Sequence, residues 1–313
     1  MKMKKRWGIA VLMIAVIFIS YQLSVSPAEA GNSKVGTSGA QFLKIGVGGR
    51  PIGMGSAYAG IADDVNALYW NPGGLGQIKE TELMAMHNAW FQSINHEYIG
   101  FAKGLKTGTI GVGITYLTVT DIEKRAGDTE AADSTFGATD MAAGLAYGLE
   151  VSPGVYAGLM AKYISQEIDD KKATGMAGDI GVLFRVNEKV GVGLAVQNLG
   201  TKIKFINTAD PLPMNIKAGV GYKPIAGLTI GLDVNAPNDN NVNAAAGAEY
   251  SWQVSDAFAI VPRAGYKTGT DLGTMSGVGA GIGFQLGGIG LDFAYVPAGD
   301  LGNTYRVSMM AKF

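Results

Sequence analysis

Fourteen stretches of the chain alternate apolar residues with small or polar ones at a period of two. Met141, Ala143, Leu145, Tyr147 and Leu149 alternate with Ala142, Gly144, Ala146, Gly148 and Glu150. Val278, Ala280, Ile282, Phe284 and Leu286 alternate with Gly277, Gly279, Gly281, Gly283 and Gln285. A period of two puts the two sets on opposite faces of a strand. The runs lie near 82–91, 95–105, 109–121, 139–151, 155–168, 174–186, 190–199, 214–222, 228–235, 242–252, 257–266, 274–286, 289–296 and 303–313. Most are close to the roughly 9–11 residues that a tilted strand needs to cross a bilayer. A spanning sheet must close on itself, because lipid offers no partner for an open edge.

The connections alternate in length. Short ones fall at 106–108, 152–154, 187–189, 223–227, 253–256 and 287–288. The others, at 122–138, 169–173, 200–213, 236–241, 267–273 and 297–302, are mostly longer. Short turns on one side and longer loops on the other define an up-and-down barrel of the outer-membrane kind. The expected fold is therefore all-β: a fourteen-stranded antiparallel transmembrane β-barrel over 82–313, embedded in outer-membrane lipid. The last run carries an apolar stripe through Tyr305, Val307, Met309 and Phe313, with Arg306, Ser308 and Lys312 between. That stripe is the expected signal for the barrel assembly machinery.

Parity also assigns an inner face. Lys162, Asp179, Arg185, Gln197, Lys217, Asp233, Glu249, Arg263, Asp292 and Arg306 fall opposite the apolar set. A charge on the lipid face costs about 2–4 kcal/mol at the midplane, so these belong in the lumen. Many other inward positions are Gly or Ala, part of a total of 47 glycines. Small side chains leave room inside, and something must occupy it.

The start of the chain supports export. Lys2, Lys4, Lys5 and Arg6 precede an apolar run from Gly8 to Ile19, and Ala28-Glu29-Ala30 is a small-x-small cleavage site. Residues 1–30 read as a secretory signal peptide. The expected location is the bacterial outer membrane.

Residues 31–81 do not alternate. Asp63 or Asp64 is placed to cap a helix of two or three turns, and Asn71-Pro72-Gly73-Gly74 must end it. So short a helix needs a wall to pack on, and the lumen supplies one. This segment is the expected plug, or hatch. Its carboxylates would need partners, for which Arg185, Arg263 and Arg306 are the inward candidates.

The stretch Gly53-Met54-Gly55-Ser56-Ala57-Tyr58, followed by Ala62-Asp63-Asp64-Val65-Asn66-Ala67-Leu68-Tyr69-Trp70-Asn71-Pro72-Gly73-Gly74-Leu75, resembles the N-terminal signature of FadL-like barrels. It is most similar to the PorV/PorQ branch, although Gly73 stands where that pattern has Ala. The resemblance implies a fourteen-stranded barrel with an N-terminal hatch. It also implies passage of hydrophobic or amphipathic, fatty-acid-like molecules, or else partnership with proteins of type nine secretion. The plug and gate residues it implies are Gly53, Gly55, Asp63, Asp64, Trp70, Asn71, Pro72 and Gly73, with a route past Phe42, Tyr58, Leu68, Tyr69 and Trp70.

Several chemistries are excluded. The chain has no Cys and two His residues, so thiolate sites are absent and a zinc enzyme is not expected. A formal net charge of −1 gives no footprint for nucleic acid. Gly46-Val47-Gly48-Gly49-Arg50-Pro51 fails the last glycine of a dinucleotide loop, and no strand–helix–strand unit surrounds it. Asn238-Asp239-Asn240-Asn241 lacks the spaced acids and closing Glu of a calcium loop. No Ser/His/Asp constellation sits at strand ends. Neither an enzyme nor a cofactor is expected.

Overall fold

The computed structural model describes residues 33–270 and 274–313. The expected signal peptide at 1–30 lies outside the described residues. Fourteen antiparallel strands form one closed barrel. They are β1 Thr81–Ala89, β2 Asn95–Leu105, β3 Gly108–Lys124, β4 Ser134–Ser152, β5 Val155–Ile168, β6 Lys171–Arg185 and β7 Val190–Gly200. There follow β8 Asn215–Tyr222, β9 Leu228–Pro237, β10 Asn243–Tyr250, β11 Phe258–Lys267, β12 Val278–Leu286, β13 Ile289–Pro297 and β14 Asn303–Lys312. Closure is made by β14 on β1, with Met84 opposite Met310. The Thr81 and Phe313 backbones exchange two hydrogen bonds of 2.9 Å at the end of that seam.

The alternation behaves as lipid outside and packing inside require. Along β4, Ala142, Gly144, Ala146 and Gly148 are buried, whereas Leu145 points out and is 68% exposed. Leu159, Ile180, Leu232 and Met309 are exposed in the same way. Tyr222, Tyr250, Trp252, Tyr295, Tyr305 and Phe313 are also exposed, at or near strand ends, where aromatic side chains suit a membrane interface.

The expected long loop at 122–138 is strand at both ends, which leaves only 125–133 as the connection. β3 continues to Lys124 and β4 begins at Ser134, past a register shift between Val119 and Ile122. Thr118-Val119-Thr120 and Thr135-Phe136 keep strand propensity beyond the membrane.

Inside the barrel lies residues 40–78, the luminal segment. It contains a 3-10 turn at Gln41–Lys44, α1 at Gly49–Gly53, α2 at Ala67–Trp70 and a second 3-10 turn at Pro72–Gln77. Val47, Met54, Tyr58, Ile61, Val65, Leu68 and Leu75 are at most 1% exposed and pack with Met84, Met86 and Tyr98 of the wall. Burying an apolar side chain of this size contributes about 1.5–3 kcal/mol. The main core of the molecule therefore lies between the segment and the wall.

Close approach accounts for much of the inward glycine. A Cβ on Gly193 would lie 1.9 Å from the Ala59 carbonyl oxygen, and one on Gly158 would lie 2.1 Å from that of Pro72. The wall is small-sided where the luminal backbone presses against it.

Candidate functional site

The luminal segment is held by a buried ionic hub on Arg50. Pro51 sits inside α1, directly after Arg50. The guanidinium Nη1 donates to Asp63 and Asp64, both at 2.7 Å, and to the Tyr58 hydroxyl at 2.8 Å. Nη2 donates to Glu249 of β10 at 2.6 Å. Lys223 adds a second cation on Asp63 at 3.2 Å. Burial by itself would lower the Arg50 pKa, but Asp63, Glu249 and the neighbouring acids raise it well above its ordinary value. For Asp63, burial pushes upward, and the Arg50 and Lys223 charges outweigh it and hold the carboxyl below its usual range.

The basic residues expected to partner the two Asp residues serve elsewhere. Arg185 donates from Nε to Gln77 at 2.6 Å and from Nη2 to the Ile61 carbonyl at 2.8 Å. Arg263 bridges Glu249 at 2.9 Å and Asp292 at 2.7 Å. Arg306 donates to Thr304 and stacks over Trp90, with its Cζ 5.0 Å from the ring centroid. The assignment of Arg185, Arg263 and Arg306 to Asp63 and Asp64 is thus corrected. Arg50 reaches both acids from only 13 and 14 residues away, inside the same segment.

The expected helix is also shorter than two turns. α2 spans Ala67–Trp70, and its N-cap residue is Asn66, which makes no side-chain cap. Asp64 instead accepts from the Asn66 backbone N–H at 2.9 Å while holding Arg50, so its oxygens are spent before the helix begins. Asn71 ends it: its Nδ2 donates to the Ala59 and Val182 carbonyls at 2.9 and 3.0 Å, and its Oδ1 accepts from Gly73 at 3.1 Å. Pro72 then opens the 3-10 turn.

Gly53 and Gly55 lie against β11 and β12. A Cβ on Gly53 would be 3.1 Å from the Gly281 Cα, and one on Gly55 would be 2.4 Å from the Tyr266 nitrogen. Trp70 donates to the Val47 carbonyl at 3.0 Å. The outward Tyr305, Val307, Met309 and Phe313 lie on the far side of the wall from all of these. His87 and His96 do not face each other. His87 points out and meets Glu97 at 2.6 Å, while His96 is buried beside Asn88. Among the described residues no three metal-ligating side chains converge.

Above the segment, at the long-loop end, the lumen opens into a chamber of about 390 Å³. Tyr69, Trp70 and Trp90 line it, together with Ile45, Ile52 and Val296. A ladder of carboxamides runs along its wall. Gln197 donates to the Tyr69 carbonyl at 2.5 Å, Asn215 donates to Gln197 at 3.2 Å, and Asn235 donates to Asn243 at 3.1 Å. Asn215 lies opposite Gln197, and Asn235 opposite Asn243, across their strand pairs. Near the outer edge, Lys44 pairs with Asp239 at 3.1 Å.

Arg50 and the ladder were missed in the sequence. The signal for Arg50 was available, since it is the one charged residue between Gly46 and Ala62. The ladder leaves no such trace, because its members meet only once the strands are in register.

A closed antiparallel barrel of fourteen strands with a few short helices near its N-terminus is the fold of FadL-like transporters. The chain is similar to the CymD monoaromatic hydrocarbon channel (TM-score 0.62, 11% identity, covering 86% of this chain and 98% of that one). It is similar to the Ralstonia pickettii toluene transporter TbuX (TM-score 0.56, 13% identity, 86% and 98%). It is likewise similar to a Pseudomonas aeruginosa FadL homologue (TM-score 0.59, 9% identity, 85% and 98%). At such identities the likeness establishes the fold and leaves the cargo open. No curated protein matches the chain. Residues 19–309 match the model of an uncharacterised protein family, UPF0164, and the chain belongs to that family.

Proposed function

We propose that this barrel passes hydrophobic or amphipathic small molecules, fatty-acid-like in character, across the outer membrane, and that the luminal segment is its plug. One observation carries the reading: the chamber at the long-loop end is floored by Tyr69 and Trp70 of that segment. A solute entering from the loops meets an aromatic floor whose position depends on α2 and on the Asn71–Pro72 junction. Gly73 and Gly74 follow the proline, and a gate needs a junction with two arrangements a few kcal/mol apart. The neighbours' named cargoes, monoaromatic hydrocarbon and toluene, are consistent with an apolar solute.

The PorV/PorQ resemblance over Gly53 to Leu75 supports a second reading, a docking partner for protein secretion. Liposomes carrying the purified barrel separate the two. A conduit speeds uptake of a labelled fatty acid over protein-free liposomes and leaves a polar solute of similar size unaffected. A docking protein changes neither.

A further inference from the structure

The chamber holds more cation than its own acids neutralise. Lys217, Lys267 and Arg306 line it. Lys217 is 4% and Arg306 3% exposed. Among the described residues none of the three makes an ion pair within 4 Å. Of the carboxylates nearby, Asp179 is engaged with Lys162 and Asp239 with Lys44, while Asp233 accepts through Oδ2 from the Tyr58 and Ala59 N–H groups and has no hydrogen bond at Oδ1. Asp233 acts on Lys217 only at longer range. Two of the three have indole instead. The Lys217 Nζ lies 4.2 Å from the Trp70 centroid, and Arg306 covers Trp90. Such stacking returns less than is lost when an ion leaves water.

The corner at Arg306 is short of partners in a second way. Asn88 lies opposite Arg306 in one strand pair and opposite His96 in the next. Arg306 Nε, Asn88 Oδ1 and His96 Nε2 all lack a hydrogen-bond partner among the described residues, and all three side chains are buried. On the opposite wall, Asn215 Oδ1 of the carboxamide ladder also lacks one. A neutral hydrocarbon would strip the remaining water from these groups and return no hydrogen bond.

We propose that the chamber is a binding site for a compact organic carboxylate with a polar body. Its charged group is held by Arg306, with Lys217 and Lys267 adding attraction from across the chamber, and a hydroxyl or amine on its body donates to Asn215. The proposal rests on the reading that solutes traverse this chamber, and within that fatty-acid-like class it favours carboxylates with a polar body, which bind here more tightly than plain fatty acids or the neutral hydrocarbons named for the structural neighbours.

Isothermal titration of the purified full-length barrel in detergent, at pH 7 and fixed salt, tests it with three probes. They are 4-hydroxybenzoate, the uncharged 4-hydroxybenzyl alcohol, and hexanoate, which keeps the charge and lacks the polar body. A charge-assisted contact predicts that 4-hydroxybenzoate binds about tenfold tighter than either of the others. Arg306→Gln should remove most of that advantage, and Lys217→Met a smaller part of it, in protein that still migrates faster unheated than boiled. If a variant does not assemble, the three probes on the native barrel decide alone. Alcohol binding within about twofold of the carboxylate overturns the anion site, and hexanoate binding as tightly overturns the polar body. Preserved 4-hydroxybenzoate binding in a barrel that shows no liposome uptake supports this site and removes only the conduit.

Discussion

Arg50 and Glu249 meet at 2.6 Å across 199 residues of sequence, and this contact ties the luminal segment to β10. Their side chains are 14% and 7% exposed, so the pair is largely out of water. Asp63 and Asp64 share the same guanidinium, and removing it leaves three acids without their common partner. Breaking a buried pair in this way costs about 3–5 kcal/mol. Arg50→Gln should therefore loosen the segment and spare the strands. Limited proteolysis of the unheated variant should cut within 40–78 while the barrel band persists. Native-like protection would show that apolar packing alone holds the segment.

In this arrangement Gly73 packs directly on the β6 backbone. A Cβ there would lie 2.8 Å from the Val182 Cα and 2.9 Å from the Gly181 carbonyl carbon. Both are backbone atoms of β6 and cannot swing away. Gly73→Ala should destabilise by about 1–3 kcal/mol, the usual range for overpacking. Urea unfolding of the two proteins measures this directly. An unchanged midpoint would mean that the PorV/PorQ-type alanine fits here after all.

Phe313 lies on the outer face and is 74% exposed, whereas Lys312 turns to Glu82 at 2.9 Å. Phe313→Asp ends the lipid-facing stripe with a charge. It should lower the yield of membrane-assembled barrel more than Lys312→Gln does. Equal yields in an outer-membrane fraction would count against the stripe as an assembly signal.

The hold on the segment has a defined pH response through Asp63. Its carboxyl in the folded protein lies below its ordinary value. A lowered folded pKa gives stability that is complete above the unfolded value, about 3.9, and is lost as pH falls toward the folded one. Protection of 40–78 from protease should thus be flat from pH 5 to 8 and decline only below about pH 4. A decline between pH 8 and 5 would assign the control to another group.

The strands were legible in the sequence because lipid imposes a local rule. Each residue's face follows from its neighbour's, so Leu145 and Ala146 could be sorted without knowing what lies inside. The luminal segment obeys no such period. Its hydrogen bonds to the wall run from side chain to backbone over distances such as Asn71 to Val182 and Gln197 to Tyr69, 111 and 128 residues apart. Inward parity placed Glu249 and Arg263 in the lumen but could not say that Arg263 would turn to Asp292 and leave Asp63 to Arg50. The chamber was illegible for the same reason. Its carboxamides come from four strands, and its floor comes from a helix of one turn.

The central claim is that solutes pass where the segment sits, and a cross-link tests it most directly. Lys44 and Asp239 already touch at the chamber's edge, and the chain has no cysteine to interfere. Lys44→Cys and Asp239→Cys, joined by a short thiol-reactive linker, pin the segment's outer end to the wall. Uptake of a labelled fatty acid into liposomes should be rapid in the unlinked double variant and fall to the protein-free rate after linking. Uptake unchanged in fully linked protein would contradict the plug as the gate.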